Sequence, residues 1–165
     1  MFIMMVMLFS VRRVLVLIFL VVTIPSAAQG ELRVANDLHN LGRNSNMQKI
    51  PVVLFFSSEY CEYCDLVRDE FLNHLVTDPA FENRLLLREV RMNSDRSLVD
   101  FGKHSITHAA FTEQRAISFT PTIQFTDGAG DILVEDIVGM ATLEFYGIYL
   151  EQAIEQSINT LRLRR

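Results

Sequence analysis

Apolar and polar residues alternate in blocks along the chain, and the spacing within each block predicts its secondary structure. Apolar residues at three-residue steps predict an amphipathic helix over residues 31–43. The continuous apolar run over residues 52–56 is typical of a strand buried in a parallel sheet. Residues 61–76 then carry apolar side chains on one helical face until residues 77–79 end the pattern. A helix, a strand and a second helix are therefore expected in this order.

The second half of the chain favours a mixed sheet. The predicted elements are a helical turn over 81–84, a strand over 86–92, a loop over 93–104, a helix over 107–118, strands over 122–126 and 132–137 around a turn, and a long helix over 141–161. Strand–helix–strand units favour parallel pairing, whereas the late hairpin adds antiparallel strands. We therefore predict an α/β fold, with a central mixed β-sheet flanked by helices and an extra N-terminal helix.

The first 28 residues have the composition of a secretory signal. Arg12 and Arg13 are their only charged residues, an apolar run follows over residues 14–22, and Ser26-Ala27-Ala28 supplies small residues. This order of basic, apolar and small residues describes a signal peptide. The alternative is an uncleaved membrane anchor, since a span needs about 20 apolar residues. Because the arginine pair interrupts the apolar stretch, we favour cleavage after Ala28 and expect a periplasmic or otherwise exported protein.

The charge of the chain excludes one class of function. The 165 residues include 20 acidic residues against 15 Lys and Arg, which gives a net charge of −5. Removal of residues 1–28 would make the remainder more acidic, because that segment holds two arginines and no acid. Nucleic-acid affinity depends on basic groups that neutralise phosphates. We therefore expect no nucleic-acid partner.

Two cysteines carry the candidate chemistry. Cys61 and Cys64 are the only cysteines of the chain, and they lie between the predicted buried strand and the helix that follows it. Free N–H groups and the helix dipole favour a thiolate at a helix start. A second sulfur one turn further on can attack a mixed disulfide formed by the first. The pattern predicts a redox-active pair, with Cys61 as the exposed nucleophile and Cys64 as the more buried resolving thiol.

Two other interpretations of the cysteine pair are weaker. A structural disulfide is common in exported proteins, but a bridge that closes so short a loop restricts little of the unfolded chain. A zinc site needs about four ligands, and a second cysteine pair is missing. His104 and His108 could share a helix face, but without a third ligand at matching spacing they are better interpreted as exposed polar residues. The phenylalanines at 71, 81, 119 and 125 are interpreted as core.

Residues of about 51–159 resemble the thioredoxin superfamily, and especially bacterial periplasmic thioredoxin-related proteins such as those of sulfur-oxidation systems. The matching residues are the strand over 52–56, Cys61-Glu62-Tyr63-Cys64, Thr120-Pro121-Thr122, Asp127-Gly128 and Gly139. The resemblance implies the thioredoxin fold and a cis peptide bond before Pro121 that faces the dithiol. It also implies a groove for substrate peptides, to which we assign Tyr60, Glu62, Tyr63, Thr120 and Pro121.

Three positions depart from the pattern of cytoplasmic thioredoxins. Glu62-Tyr63 replaces their Gly-Pro, and Tyr60 stands where they carry tryptophan. Phe55 occupies the place of their buried aspartate, which leaves the group that assists proton transfer to the resolving thiol unassigned. Glu59 or a water molecule is a candidate for that role.

These observations predict three segments and one activity. The segments are a signal peptide over residues 1–28, an N-terminal helical extension over 29–50 and a thioredoxin-like domain over 51–165. We expect a monomeric thiol–disulfide oxidoreductase that uses no cofactor or metal, reduces disulfides in exported client proteins and is recharged by a membrane electron donor. The negative charge of Glu62 beside the thiolate should raise the pKa of Cys61 and so favours this direction, although the dipole at the helix start also stabilises Glu62 and the charge alone decides little. A disulfide oxidase or isomerase, and a non-catalytic binding module with the same groove, are the alternatives.

Overall fold

The computed structural model describes residues 32–164. The predicted signal peptide over residues 1–28 lies outside the described residues. Among the helices of the described part, none combines the length and the apolar character that a membrane crossing requires.

Helices and strands alternate along the described part of the chain. The helices are α1 Leu38–Gln48, α2 Glu62–Val67, α3 Asn73–Thr77, α4 His108–Gln114 and α5 Leu143–Leu163, and the strands are β1 Val52–Ser57, β2 Leu86–Arg91, β3 Ser97–Val99, β4 Ser105–Thr107, β5 Thr122–Thr126 and β6 Ile137–Val138. A π-helical turn, Arg68–Leu72, connects α2 to α3, so these three pieces follow one another without a loop.

The central sheet is mixed, as predicted. Its strand order is β2–β1–β5–β6. β1 pairs with β2 in parallel, with Val52 opposite Leu86, and pairs with β5 in antiparallel fashion, with Val52 opposite Thr126. β6 continues the sheet antiparallel to β5, while β3 and β4 form a separate two-stranded ribbon. β1 is therefore one of the two interior strands, which explains why its predicted apolar run is unbroken.

Side chains of β1 point alternately into two hydrophobic layers, as strand geometry requires. Val53 and Phe55 belong to the layer between the sheet and the helices α2 and α5. Leu54 and Phe56 belong to the layer on the opposite face, which α1 and α4 cover. The dithiol-bearing helix α2 is thus fixed against the sheet by the first of these layers.

The first helix is shifted from its predicted position. It begins at Leu38 rather than residue 31, because Asp37 is its N-cap and its side chain accepts a hydrogen bond of 2.8 Å from the backbone N–H of Asn40. The helix continues to Gln48 and ends where Lys49 adopts a left-handed conformation with φ of 59°. The predicted end at residue 43 was therefore wrong, since a left-handed C-cap at Lys49 supplies the actual end.

Residues before α1 are extended and lie along the free edge of β2. The backbone N–H of Ala35 donates to the carbonyl of Glu89 at 2.8 Å, and the N–H of Glu89 donates to the carbonyl of Arg33 at 2.9 Å. Leu32 and Ala35 are buried, as the apolar spacing indicated, but in an extended segment. Three-residue spacing in so short a stretch does not distinguish a helix from an irregular strand.

Three later elements also differ from their predictions. The predicted loop over 93–104 contains β3, whose Val99 N–H donates to the carbonyl of Asn36 at 2.9 Å. The predicted strand over 132–137 pairs only at its ends, because the chain leaves the sheet after Leu133 and returns as β6. The helix predicted over 107–118 is α4 and stops at Gln114. The first difference depends on a contact with a residue distant in sequence, whereas α4 ends locally, where Ala116 adopts a left-handed conformation with φ of 55°.

Candidate active site

The two cysteines lie where β1 ends and the following helix begins. A turn over residues 58–60 connects Ser57, the last residue of β1, to Cys61, the N-cap of α2. Tyr60 completes this turn with a φ of 58°, in the left-handed region that residues other than glycine seldom adopt. Cys64 follows in the first turn of the helix. The local backbone therefore presents one sulfur at the helix start and holds the other inside.

Cys61 and Cys64 form a disulfide, and their Cα atoms are 5.1 Å apart. The backbone N–H of Cys64 donates to the Sγ atom of Cys61 at 3.1 Å. The sulfur thus takes the capping position that a side-chain oxygen usually takes at a helix start. In the reduced protein, an N–H group at this position is expected to favour the thiolate form of Cys61.

The two sulfurs differ sharply in exposure. Cys64 is completely buried and belongs to the apolar layer that contains Phe55 and Val67. Cys61 is only partly buried and packs at the edge of that layer. An incoming disulfide can therefore reach Cys61 but not Cys64.

Thr120 and Pro121 lie against the dithiol. The peptide bond between them is cis. The Oγ1 atom of Thr120 is 3.6 Å from the Sγ atom of Cys61 and 2.8 Å from the Oγ atom of Ser58. The carbonyl of Pro121, itself buried, accepts a hydrogen bond of 2.7 Å from the N–H of Gly139. The segment that precedes β5 and contains Thr120 and Pro121 therefore lies next to Cys61.

Exposed aromatic residues flank Cys61 and Thr120 in the sequence. Tyr60 is fully exposed, and Tyr63 and Glu62 also face solvent. Phe119, which precedes Thr120, is 68% exposed, so its interpretation as a core residue was wrong. The exposed ring belongs to the segment that lies against the dithiol, and sequence spacing alone could not distinguish it from a core ring. Whether these groups contact a substrate peptide stays a prediction.

A buried polar cluster behind the dithiol was missed by the sequence analysis. Glu89 in β2 is 3% exposed, and its Oε1 atom accepts hydrogen bonds from Ser57 Oγ at 2.7 Å and Arg68 Nη2 at 2.6 Å. Arg68 also pairs with Asp65, one turn earlier on the helix. Burial opposes the charge of Arg68, but its hydrogen bonds to Glu89 and Asp65 raise the pKa of the guanidinium. An ion pair therefore lies under the dithiol-bearing helix.

A polar cleft opens above this cluster. It has a volume of about 570 Å³, and its walls include Ser58, Tyr60, Asp65, Arg68 and Glu89. The only signal in the sequence was a glutamate in the middle of a predicted strand. Glu59, the candidate substitute for the missing aspartate, is exposed, whereas the buried carboxylate belongs to Glu89, next to Phe55 in the parallel register.

The two histidines that could have formed a metal couple do not meet. The Nδ1 atom of His104 lies 3.0 Å from Asp100. His108 is completely buried, so its interpretation as an exposed residue was wrong. Its Nδ1 atom accepts a hydrogen bond from the N–H of Arg91, and its Nε2 atom lies 2.9 Å from the carbonyl of Ala35. Across residues 32–164, no three His, Cys, Asp or Glu side chains cluster as a metal site would require.

A family model described as a thioredoxin-like domain matches residues 43–154. The chain belongs to the thioredoxin-like family. The fold is accordingly the thioredoxin fold, as predicted. With its Cys61–Cys64 pair at the helix start, this thioredoxin-like protein is a thiol–disulfide oxidoreductase. No curated protein sequence matched the chain.

Several solved structures align with this thioredoxin-like protein at low sequence identity. Oxidised thioredoxin O2 from Arabidopsis thaliana is 18% identical, with a TM-score of 0.48 over 79% of this chain and 97% of that one. A thioredoxin-fold protein from Helicobacter pylori is 16% identical, with a TM-score of 0.46 over 70% and 86% of the two chains. The periplasmic thioredoxin SoxS from Paracoccus pantotrophus, in its reduced form, is 17% identical, with a TM-score of 0.42 over 65% and 98%.

Proposed function

We propose that the protein works in the periplasm, or otherwise outside the cytoplasm, as a reductant of disulfides in other exported proteins. The observation that carries the proposed exchange is the asymmetry of the pair, while the reductive direction is proposed from the negative charge of Glu62 beside Cys61. Cys61 is accessible at the helix start, next to the hydroxyl of Thr120, whereas Cys64 is completely buried. A two-step exchange needs one sulfur that meets the client and one that only meets the first sulfur.

The reaction transfers two electrons from the dithiol to the client. The Cys61 thiolate attacks one sulfur of the client disulfide, forms a mixed disulfide and releases the other client sulfur as a thiolate. Cys64 then loses its proton and attacks the Cys61 sulfur, which re-forms the Cys61–Cys64 bond and releases the second client thiolate. Both client thiolates take up protons from solvent or from the protein. A membrane-bound dithiol donor returns two electrons to the disulfide and completes the cycle.

The aromatic surface around Cys61 supports peptide binding. Tyr60, Tyr63 and Phe119 leave rings exposed beside the reactive sulfur, and large exposed aromatic side chains commonly serve as contact surface for partners. Thr120 and Pro121 form the adjoining wall of the proposed groove. We propose that the protein acts as a monomer, since a client must reach this open surface.

Insulin reduction tests the activity, and equilibrium with glutathione tests its direction. The exported protein with dithiothreitol should accelerate the precipitation of reduced insulin, and its potential should lie near the roughly −270 mV of thioredoxin rather than the roughly −120 mV of a strong oxidant. A potential close to the latter would favour an oxidase. No acceleration of insulin reduction would favour a non-catalytic binding module. Intact mass of the exported protein tests cleavage after Ala28, because retention of residues 1–28 would indicate a membrane anchor.

A further inference from the structure

The ion pair between the partly exposed Arg68 and the buried Glu89 has no part in the reaction as written above. Both partners are held by several contacts. Glu89 receives hydrogen bonds from Ser57 and Arg68 on one carboxylate oxygen, and its other oxygen is 3.8 Å from Nε of Arg91. Burying an ion pair costs solvation free energy, and such pairs are often no more stabilising than apolar residues of equal size. Stability alone is therefore a weak reason for this arrangement.

The pair adjoins the resolving sulfur. Arg68 follows Cys64 by four residues, and its backbone N–H donates to the Cys64 carbonyl, so both side chains leave the same face of the helix about 5–6 Å apart at Cβ. The guanidinium carbon lies 5.6 Å from the centre of the Phe55 ring. That ring and Cys64 belong to the same buried layer. The Phe55 ring thus adjoins both the guanidinium and the layer that holds the sulfur, and the field of a partly buried ion pair is screened less than that of fully exposed charges.

We propose that the Arg68–Glu89 pair sets the reduction potential of the Cys61–Cys64 couple, with Glu89 as a positioning residue that acts through Arg68. Reduction adds two electrons and two protons to the disulfide, and one of the two thiols then ionises. An uncompensated guanidinium near the sulfurs would favour the thiolate, stabilise the reduced form and make the protein more oxidising. Glu89 cancels this charge and thereby keeps the reduced dithiol a good electron donor.

The remaining charged groups near the dithiol are less effective. Glu59, Glu62 and Asp65 are exposed on the turn and the helix, and Arg91 is exposed on β2. Exposed charges interact through water and are screened by salt. Glu89 is the buried member of this group. At a given distance from the sulfurs, its charge therefore affects their ionisation more than an exposed charge does. The inference depends on the dithiol couple alone and not on the identity or location of the client.

Opposite single substitutions test the proposal. Glu89→Gln keeps a side-chain oxygen for Ser57 and Arg68 but removes the negative charge. We expect its equilibrium constant with glutathione to shift about tenfold towards the reduced protein, equal to about 30 mV more oxidising. Arg68→Met leaves Glu89 uncompensated and should shift the constant in the opposite direction. The double substitution Arg68→Met/Glu89→Leu removes both charges and should return the potential towards that of the wild type.

A remote ion pair provides the matched control. Arg84 pairs with Glu155, and Arg84 precedes β2 at the end of the sheet opposite to Ser57. Glu155→Gln removes a carboxylate in the same way and should leave the potential unchanged. The proposal would be overturned by any of three results. These are a reduction potential that shifts as much in Glu155→Gln as in Glu89→Gln, a shift in the same direction in Glu89→Gln and Arg68→Met, and no shift in Glu89→Gln at all. If Arg68→Met does not fold, the sign of the shift in Glu89→Gln decides the matter, because general loosening of the site does not predict a more oxidising couple.

Discussion

The hydroxyl of Thr120 should lower the pKa of Cys61 in the reduced protein, and Thr120→Val tests this directly. Valine has nearly the same shape as threonine but replaces the hydroxyl with a methyl group. In the structure the hydroxyl contacts both the Cys61 sulfur, at 3.6 Å, and the Ser58 hydroxyl, at 2.8 Å. When Cys61 ionises, we expect Ser58 to donate to Thr120 and Thr120 to donate to the sulfur.

The size of the effect follows from the strength of one hydrogen bond. A hydrogen bond to a charged group contributes about 1.5–3 kcal/mol, and one pKa unit corresponds to about 1.36 kcal/mol. The sulfur is partly exposed and keeps its hydrogen bond from the N–H of Cys64, so only part of the stabilisation is lost. We therefore expect Thr120→Val to raise the pKa of Cys61 by about 0.5–1 unit.

Alkylation rate as a function of pH measures this pKa, because only the thiolate reacts. Ser58→Ala removes the second member of the chain and should raise the pKa by a smaller amount. Thr112→Val is the control, since its hydroxyl is buried and donates to the His108 carbonyl at 2.8 Å, away from the dithiol. It should cost stability and leave the pKa unchanged. If Thr120→Val leaves the pKa of Cys61 where it was, the hydroxyl does not stabilise the thiolate.

Three further predictions concern the pair and the core. Cys64→Ser should accumulate mixed disulfides with client proteins, seen as bands that vanish on reduction, while Cys61→Ser should form none; equal trapping by both would contradict their roles. Burial lowers the pKa of His108, and the charges of Arg96 and Arg91 lower it further, whereas the hydrogen bond to the Ala35 carbonyl opposes the shift. The imidazole therefore takes up its second proton in the folded state only at a pH below the usual pKa of about 6.5. The free energy of unfolding should therefore fall as pH drops below about 6.5, and less steeply in His108→Gln, as urea titrations at several pH values would show. Among residues 32–164 the Tyr146 hydroxyl is buried without a hydrogen-bond partner, so Tyr146→Phe should raise the melting temperature, through about 1–3 kcal/mol of relieved desolvation; a lower melting temperature would show that the hydroxyl is bonded.

The sequence predicted those parts of the protein that short-range patterns determine. The run of apolar residues marked β1 as a central strand, and the Cys61–Cys64 spacing at a helix start identified the reactive pair. The Glu89–Arg68 cluster could not be predicted in this way. Its members are 21 residues apart, and only the parallel register of β1 with β2 brings Glu89 next to Phe55. A charged residue on an inward-facing strand position is informative only when its partner is known.

The predicted boundaries of α1 were wrong for a similar reason. Leu32 and Ala35 are buried as their spacing required, but pairing with Glu89 holds that stretch extended. Phe119 shows the reverse error, because a large apolar residue was expected in the core and is exposed next to Thr120. Apolar residues at a binding surface and in a core have the same sequence pattern, so only the fold distinguishes them.

The extended segment ahead of α1 also protects the protein from self-association. β2 is the last strand of the sheet on its side, and unpaired backbone groups on such a strand invite pairing with another chain. Residues 33–35 occupy those groups at Glu89. A protease that cuts just after Asn36 would therefore remove the paired segment and leave the backbone N–H and carbonyl of Glu89 without partners at the edge of the sheet. Loss of residues 33–35 is therefore expected to promote self-association through β2, whereas a chain that keeps them should stay dispersed.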